Sequence, residues 1–165
     1  MILILDNIRS CYNVGAILRT AEGFGVERVI LSGYTPRVHD KNLLPHLREK
    51  LDREIHKTAL GAEDMLDIYS CGDIKTEVKK LRDGGWQIVG LENNIDSDRI
   101  FELGSPELKN NLADNFALIL GEEVRGIDNS LYDMIDLFVE IPMKGQKESF
   151  NVSVAAGIAM YGLAK

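Results

Sequence analysis

Cysteine is scarce in this chain, with Cys11 and Cys71 the only two in 165 residues. They lie far apart and form neither a C-x-x-C pair nor a zinc spacing. Both are expected to be ordinary reduced thiols rather than a disulfide framework, a redox couple or a metal site. The three histidines, His39, His46 and His56, show no metal spacing either. No run of about eighteen apolar residues is present, which argues against a spanning helix. The apolar start Ile2-Leu3-Ile4-Leu5 stops at Asp6, with no basic leader before it and no cleavage pattern, so a cytoplasmic location is expected. Positive charge is short as well: 19 Lys and Arg against 26 Asp and Glu leave a net charge of −7. Whole-surface binding of nucleic acid needs clustered basic residues, so any such contact has to be local. No G-x-G-x-x-G follows the first strand. Gly15, Gly23 and Gly25 are wrongly arranged to cradle a pyrophosphate, which counts against a nicotinamide or flavin oxidoreductase. There is no internal repeat, low-complexity tract or linker, and the length suits one domain with its own core.

What is present is concentrated in the last third, Asn115 to Leu163. Phe116-Ala117-Leu118-Ile119-Leu120 reads as a fully buried strand that leaves through the polar turn Gly121 to Gly126. Leu137 to Ile141 repeats the device and leads into the polar loop Pro142 to Ser149. Two strand ends thus deliver two loops of the kind that bind ligands outside the carboxyl edge of an open α/β sheet. The helix expected from Asn151 to about Leu163 is apolar or small on nearly every side. It needs cover on more than one face, from a loop of its own chain or from a second subunit. Asn151, or Ser149 before it, suits the N-cap.

Earlier in the chain, Ile2 to Leu5 and Arg28 to Ser32 read as strands around a helix from about Asn13 to Phe24, a compact right-handed βαβ unit. Val14, Ile17, Leu18 and Ala21 form the helix's apolar stripe, with Gly23 and Gly25 at its end. Arg19 falls off that stripe, where periodicity alone makes it a solvated arginine beside Glu22. Residues 33–58 read as irregular or part-helical, with Pro36 and Pro45 as breaks. Arg37, Lys41, Arg48, Lys50, Arg53 and Lys57 there outnumber the acids by two, a candidate phosphate-contacting surface or a solvated mixed-charge helix. An amphipathic helix is predicted over 73–83, stopped by Gly84-Gly85. The strand Trp86 to Leu91 follows, and Leu91-Glu92-Asn93 stands at a third strand exit. Alternating strands and helices predict an α/β fold, a mostly parallel sheet flanked by helices.

Three stretches together resemble the SpoU (TrmH-like) family of RNA ribose 2'-O-methyltransferases. Asn13-Val14-Gly15-Ala16-Ile17-Leu18-Arg19-Thr20-Ala21 with Phe24-Gly25 is similar to its first motif. Leu120 to Gly126 resembles the second, and Ile141-Pro142-Met143 through Ser149-Phe150-Asn151 to Ala156 the third. Glu122, where a small residue is more usual, and Phe150, where leucine is, depart from the pattern. The match covers essentially the whole chain, so the resemblance implies a bare catalytic domain over 1–165 without an RNA-binding extension.

The resemblance implies a SPOUT-type fold with a C-terminal trefoil knot, S-adenosylmethionine as methyl donor, tRNA or rRNA as substrate, and a homodimer whose site is completed by both subunits. Neither membrane nor DNA is an expected partner, since only RNA carries the ribose 2'-hydroxyl. Residue by residue, the resemblance implies catalytic roles for Asn13, Arg19, Glu123, Ser149 and Asn151, with Arg19 at the attacking hydroxyl. It implies a cofactor pocket at Leu91, Gly121, Ile141 and Ser149. Asn13 also reads as a plain helix cap, and Glu123 as a surface acid paired with Arg125. A non-catalytic RNA-binding module on the same fold is the alternative function. RNA grip would come from residues 37–57, Arg9, Lys144 and Lys147.

Overall fold

The strands at the centre of the sheet are apolar on both faces because both faces are covered. In β1 (Ile2–Asp6) and β6 (Phe116–Leu120) every residue is buried, the pattern of a parallel sheet sandwiched between helices. In this computed structural model, which describes residues 1–93, 95 and 97–164, alternate strand residues feed two cores. Leu3, Leu5, Leu118 and Leu120 meet α1 (Cys11–Gly23), α2 (Pro45–Ala59) and α5 (Val152–Leu163) on one face. Ile2, Ile4, Ala117 and Ile119 meet Val78 and Leu81 of α3 (Ile74–Asp83) on the other.

Seven strands stand in the order β3-β2-β1-β6-β4-β7-β5, with β2 at Arg28–Ser32, β3 at Ile68–Ser70, β4 at Gln87–Leu91, β5 at Ile100–Glu102 and β7 at Leu137–Glu140. Every neighbouring pair is parallel, so the expected α/β architecture holds. The last strand lies between β4 and β5, both earlier in the chain. Its register puts Leu91 opposite both Leu120 and Val139. Three strands therefore end at one level, and their exit loops meet.

Several local expectations change. Pro45 opens α2 instead of breaking the chain; a proline at the first helical position loses no hydrogen bond. The cap of α1 is Ser10, whose Oγ accepts from the Asn13 amide at 3.3 Å, so Asn13 is not the plain cap and its side chain is released for other contacts. The N-cap of α5 is Asn151 rather than Ser149. β3, β5 and the short α4 (Pro106–Asn111) were not anticipated.

Candidate active site

The three exit loops enclose a cavity of about 300 Å³ at the carboxyl edge of β4, β6 and β7. Its walls include Leu91, Gly121, Glu123, Ile141 and Ser149, so five of the residues singled out from sequence meet there. Apolar cover comes from Leu120, Phe150, Val152 and Ala155. The loop after β6 is a tight hairpin in which the Glu122 amide donates to the Gly126 carbonyl at 3.0 Å and the Gly126 amide donates back at 2.9 Å. Both of its ends have to be glycine. A Cβ on Gly121 would lie 2.3 Å from the Gly126 carbonyl carbon, and one on Gly126, at φ +69°, would lie 2.0 Å from Glu92 Oε2.

Glu92 and Asn93 set the shape of the cavity; sequence reasoning placed both at a strand exit and gave them no role. Glu92 Oε2 accepts from the Ile127 amide at 2.8 Å, which seats the hairpin against β4. Asn93 acts as a short strand edge for the third loop: Oδ1 accepts from the Ile141 amide at 3.1 Å, while Nδ2 donates to the Ile141 carbonyl at 3.2 Å and to that of Glu148 at 3.5 Å. The signal available was two polar residues directly after a buried strand, at a recognised exit but without a motif attached.

Asn13 and Asn151 join the cavity through hydrogen bonds rather than by lining it. Asn151 Nδ2 donates to Asn13 Oδ1 at 3.3 Å, and Asn13 Nδ2 donates to Glu123 Oε1 at 3.1 Å. The relay ties the starts of α5 and α1 to the hairpin. Asn151 caps its helix at the same time, its Oδ1 accepting from the Ser153 amide at 2.9 Å. Glu123 is engaged by Asn13, and among the described ion pairs none joins it to Arg125.

Arg19 is not brought to this cavity within the chain. It is exposed on α1, six residues beyond Asn13, roughly 9 Å along the helix axis. No described ion pair involves it, including the anticipated one with Glu22. Charge in the walls is one-sided: Glu92, Glu122, Glu123 and Glu148 stand against Arg125 alone. Tyr34, beside Glu122 and Arg9, has its phenol pushed above the ordinary range by desolvation and then by Glu122.

None of the Lys and Arg counted in the basic stretch at 37–57 stands in a described ion pair; the ion pairs of that stretch belong to its histidines. His39 sits between Asp52 (3.2 Å) and Asp64 (3.0 Å), and its imidazole is held above the usual range first by the Asp64 hydrogen bond. His56 Nδ1 meets Glu63 at 2.6 Å. Among the described residues no group of three or more His, Cys, Asp or Glu is placed to hold a metal ion, and no helix is long and apolar enough to cross a membrane.

The model of the SpoU rRNA Methylase family matches residues 1–161. The chain belongs to that family. A Staphylococcus aureus (strain COL) protein assigned to the TrmH family of tRNA/rRNA methyltransferases is 30% identical over 162 residues, covering 97% of this chain and 56% of the relative. The 23S rRNA (guanosine-2'-O-)-methyltransferase RlmB of Xylella fastidiosa is 30% identical over 161 residues, covering 98% of this chain and 57% of its own length. This SpoU-family chain thus spans a little over half the length of the curated relatives it matches. Among solved structures, the AdoMet-bound rRNA methyltransferase from Sinorhizobium meliloti superposes with a TM-score of 0.79 at 21% identity, over 98% of this chain and 54% of that one. That likeness is one of fold.

Proposed function

We propose that this SpoU-family chain transfers a methyl group from S-adenosylmethionine to a ribose 2'-hydroxyl of tRNA or rRNA. The observation that carries the reading is the cavity itself, where three strand-exit loops converge and the Asn151–Asn13–Glu123 relay ends. The names of the relatives, a guanosine-2'-O-methyltransferase and an AdoMet-bound rRNA methyltransferase, point the same way.

The donor fits the cavity on three counts. Its volume of about 300 Å³ is at the small end of the range for such ligands. Leu91, Ile141, Phe150 and Val152 offer apolar surface for a neutral adenine beside loop backbone that can donate and accept. Carboxylates prevail in the walls, which suits a cationic sulfonium and disfavours the anionic pyrophosphate of a dinucleotide. Leu91, Gly121, Ile141 and Ser149 would hold it, and its sulfonium supplies an activated methyl.

The protein's remaining work is to hold the 2'-oxygen in line and to accommodate charge as its proton leaves. Arg19 takes the second role as an electrostatic partner of the developing alkoxide, because a guanidinium stays protonated and makes a poor base. Water or a target phosphate then receives the proton. Asn13, Glu123 and Asn151 fix the hairpin relative to α1 and α5, and Ser149 faces the donor.

Arg19 lies away from its own cavity, so this assignment extends to a homodimer in which Arg19 serves the cavity of the second copy. Support comes from an apolar face across α1 and α5. Phe24 and Tyr161 pair with centroids 6.3 Å apart, and Tyr161 remains 76% exposed. The reading also includes the C-terminal trefoil knot, supported by β7 between β4 and β5 and by the grip of Asn93 on Ile141 and Glu148, and a cytoplasmic setting, where tRNA and rRNA are found.

The test is incubation of the purified protein with unmodified tRNA or rRNA and deuterated S-adenosylmethionine, followed by mass spectrometry of the nucleosides. Label on a ribose oxygen is expected. Label on a base, or RNA binding with no transfer to any RNA, overturns the reading, and the second result would favour a non-catalytic RNA-binding module.

A further inference from the structure

One aromatic beside the relay has no part in the reading so far. Tyr12 precedes Asn13 at the start of α1 and leaves 49% of its surface in solvent. It is nevertheless held from two sides by α2. Lys57 Nζ lies over its ring, 5.6 Å from the centroid, and donates to its hydroxyl at 3.4 Å. Thr58 Oγ1 donates to its carbonyl at 2.9 Å. The approach of the two helices that permits this is very close. A Cβ on Gly15 would lie 2.2 Å from Thr58 Oγ1 and 2.3 Å from the Ile55 carbonyl oxygen.

The result is a braced aromatic with a cation on it, next in sequence to a residue hydrogen-bonded to Glu123 of the cavity. Thr58 secures the backbone beneath the ring, and Lys57 holds the ring itself through a hydrogen bond and a cation–π contact. A ring fixed in orientation, with positive charge alongside, matches what single-stranded RNA offers: a flat base beside a phosphate.

Resting on the methyltransferase reading, the geometry points to Tyr12 and Lys57 as a stacking platform for a base of the RNA strand, close to the nucleotide whose ribose enters the cavity. Tyr12 stacks on the base face, and Lys57 orients the ring and contacts the neighbouring phosphate. Stacking is tolerant of base identity, so the platform positions the strand and leaves sequence choice to other contacts.

The test uses the intact chain and two fluorescent single-stranded probes of roughly 12 nucleotides, within the site sizes usual for such surfaces: oligo(A) and an abasic ribose-phosphate strand of equal length. Anisotropy is expected to show wild type binding oligo(A) more tightly than the abasic strand. Y12A should lose roughly 5- to 150-fold for oligo(A), little for the abasic strand, and nothing in S-adenosylmethionine affinity. Y12F should stay near wild type. K57A should lower the slope of log K against log salt by about 0.7 for both probes. Y12L, which keeps a large apolar side chain at the position, guards against a folding artefact. If folded Y12L binds oligo(A) like wild type, the platform is overturned. It is equally overturned if wild type binds both probes alike, or if Y12A changes the sedimentation of the protein but not its RNA affinity, since Tyr12 then packs on a second copy. Base-dependent binding without any methyl transfer would strike the methyltransferase reading and leave the platform standing.

Discussion

Behind β1, β2 and β3 a cavity of about 220 Å³ opens at the same sheet edge as the larger one behind β4, β6 and β7. Its polar groups are taken up locally. Asn7 Nδ2 donates to Asp6 at 3.0 Å, Asn7 Oδ1 accepts from the Tyr34 amide at 3.3 Å, and Asp73 and Asp128 accept from the Thr76 and Ser130 amides at 2.8 Å each. Outside its walls at the same edge, Thr35 Oγ1 bridges the Leu5 carbonyl (2.9 Å) and the Ile8 amide (3.1 Å). Across the sheet, Glu92 and Asn93 fasten the loops to one another, and Ser149 is left facing the cavity without a described hydrogen bond from its side chain, while Glu122 meets the Tyr34 phenol at the rim. Both edges stand at strand ends. What separates a closed edge from a ligand-ready one is whether the fastening residues use up the polar groups or only fix the loops that carry them.

The sharpest break in that contrast should come from Arg19→Ala. Removing one charge-stabilising donor is worth about 10²- to 10³-fold in kcat, while calorimetric S-adenosylmethionine affinity should stay within about twofold, because the proposed role of Arg19 is toward the ribose oxygen and not toward the donor. Normal turnover by the alanine variant would remove Arg19 from the mechanism.

A matched glycine pair comes next. Gly121→Ala forces a methyl against the Gly126 backbone, and Gly33→Ala, at φ +60°, forces one to 2.0 Å from Asn7 Oδ1. Each should cost about 1–3 kcal/mol in urea unfolding. Only G121A should also lose cofactor affinity, by tenfold or more on the overpacking cost. Equal losses of affinity would erase the difference between the two edges.

Smaller effects test the fasteners. Glu92→Ala orphans the Ile127 amide and should cost about 1–3 kcal/mol together with cofactor affinity. Glu92→Gln, which keeps an oxygen acceptor, should recover part of both. Thr35→Val at the closed edge should cost stability in the same range and leave affinity unchanged.

The smallest effect is in pH. Burial pushes the Asp6 carboxyl up, with hydrogen bonds from Ser32 and Asn7 opposing it. A carboxyl whose folded value exceeds its unfolded one favours folding below the unfolded value and loses that contribution as pH rises through the folded value. Asp6→Asn should therefore gain stability relative to wild type at neutral pH, and the gain should shrink toward pH 4 as Asp6 takes up its proton in the parent. A gain that grows in acid would contradict the sign.

Much of this was legible in the sequence where one physical signal dominates. β1, β2, β4, β6 and β7 are continuous apolar runs, and the glycine hairpin after β6 announces itself by composition. β3 and β5 carry no such run, because three-residue strands exist only once β2 and β7 offer them partners. The Asn13–Glu123 contact joins residues 110 positions apart, and nothing local distinguishes it from a helix cap. Glu92 and Asn93 were visible as polar residues at a strand exit. Their partners, Ile127 and Ile141, are fixed by strand order, which periodicity does not encode.

Strand order also dictates a schedule. During synthesis β4 and β5 leave the ribosome before β7, so the outer edge of β4 stays unpaired, and β5 has no strand to join, until Leu137 to Glu140 arrives. Until then that edge of β4 presents an unsatisfied ladder to any other extended segment. A chain stopped ahead of Leu137 thus ends its sheet on a bare β4, open to pairing with its own copies, rather than being a shorter version of the fold.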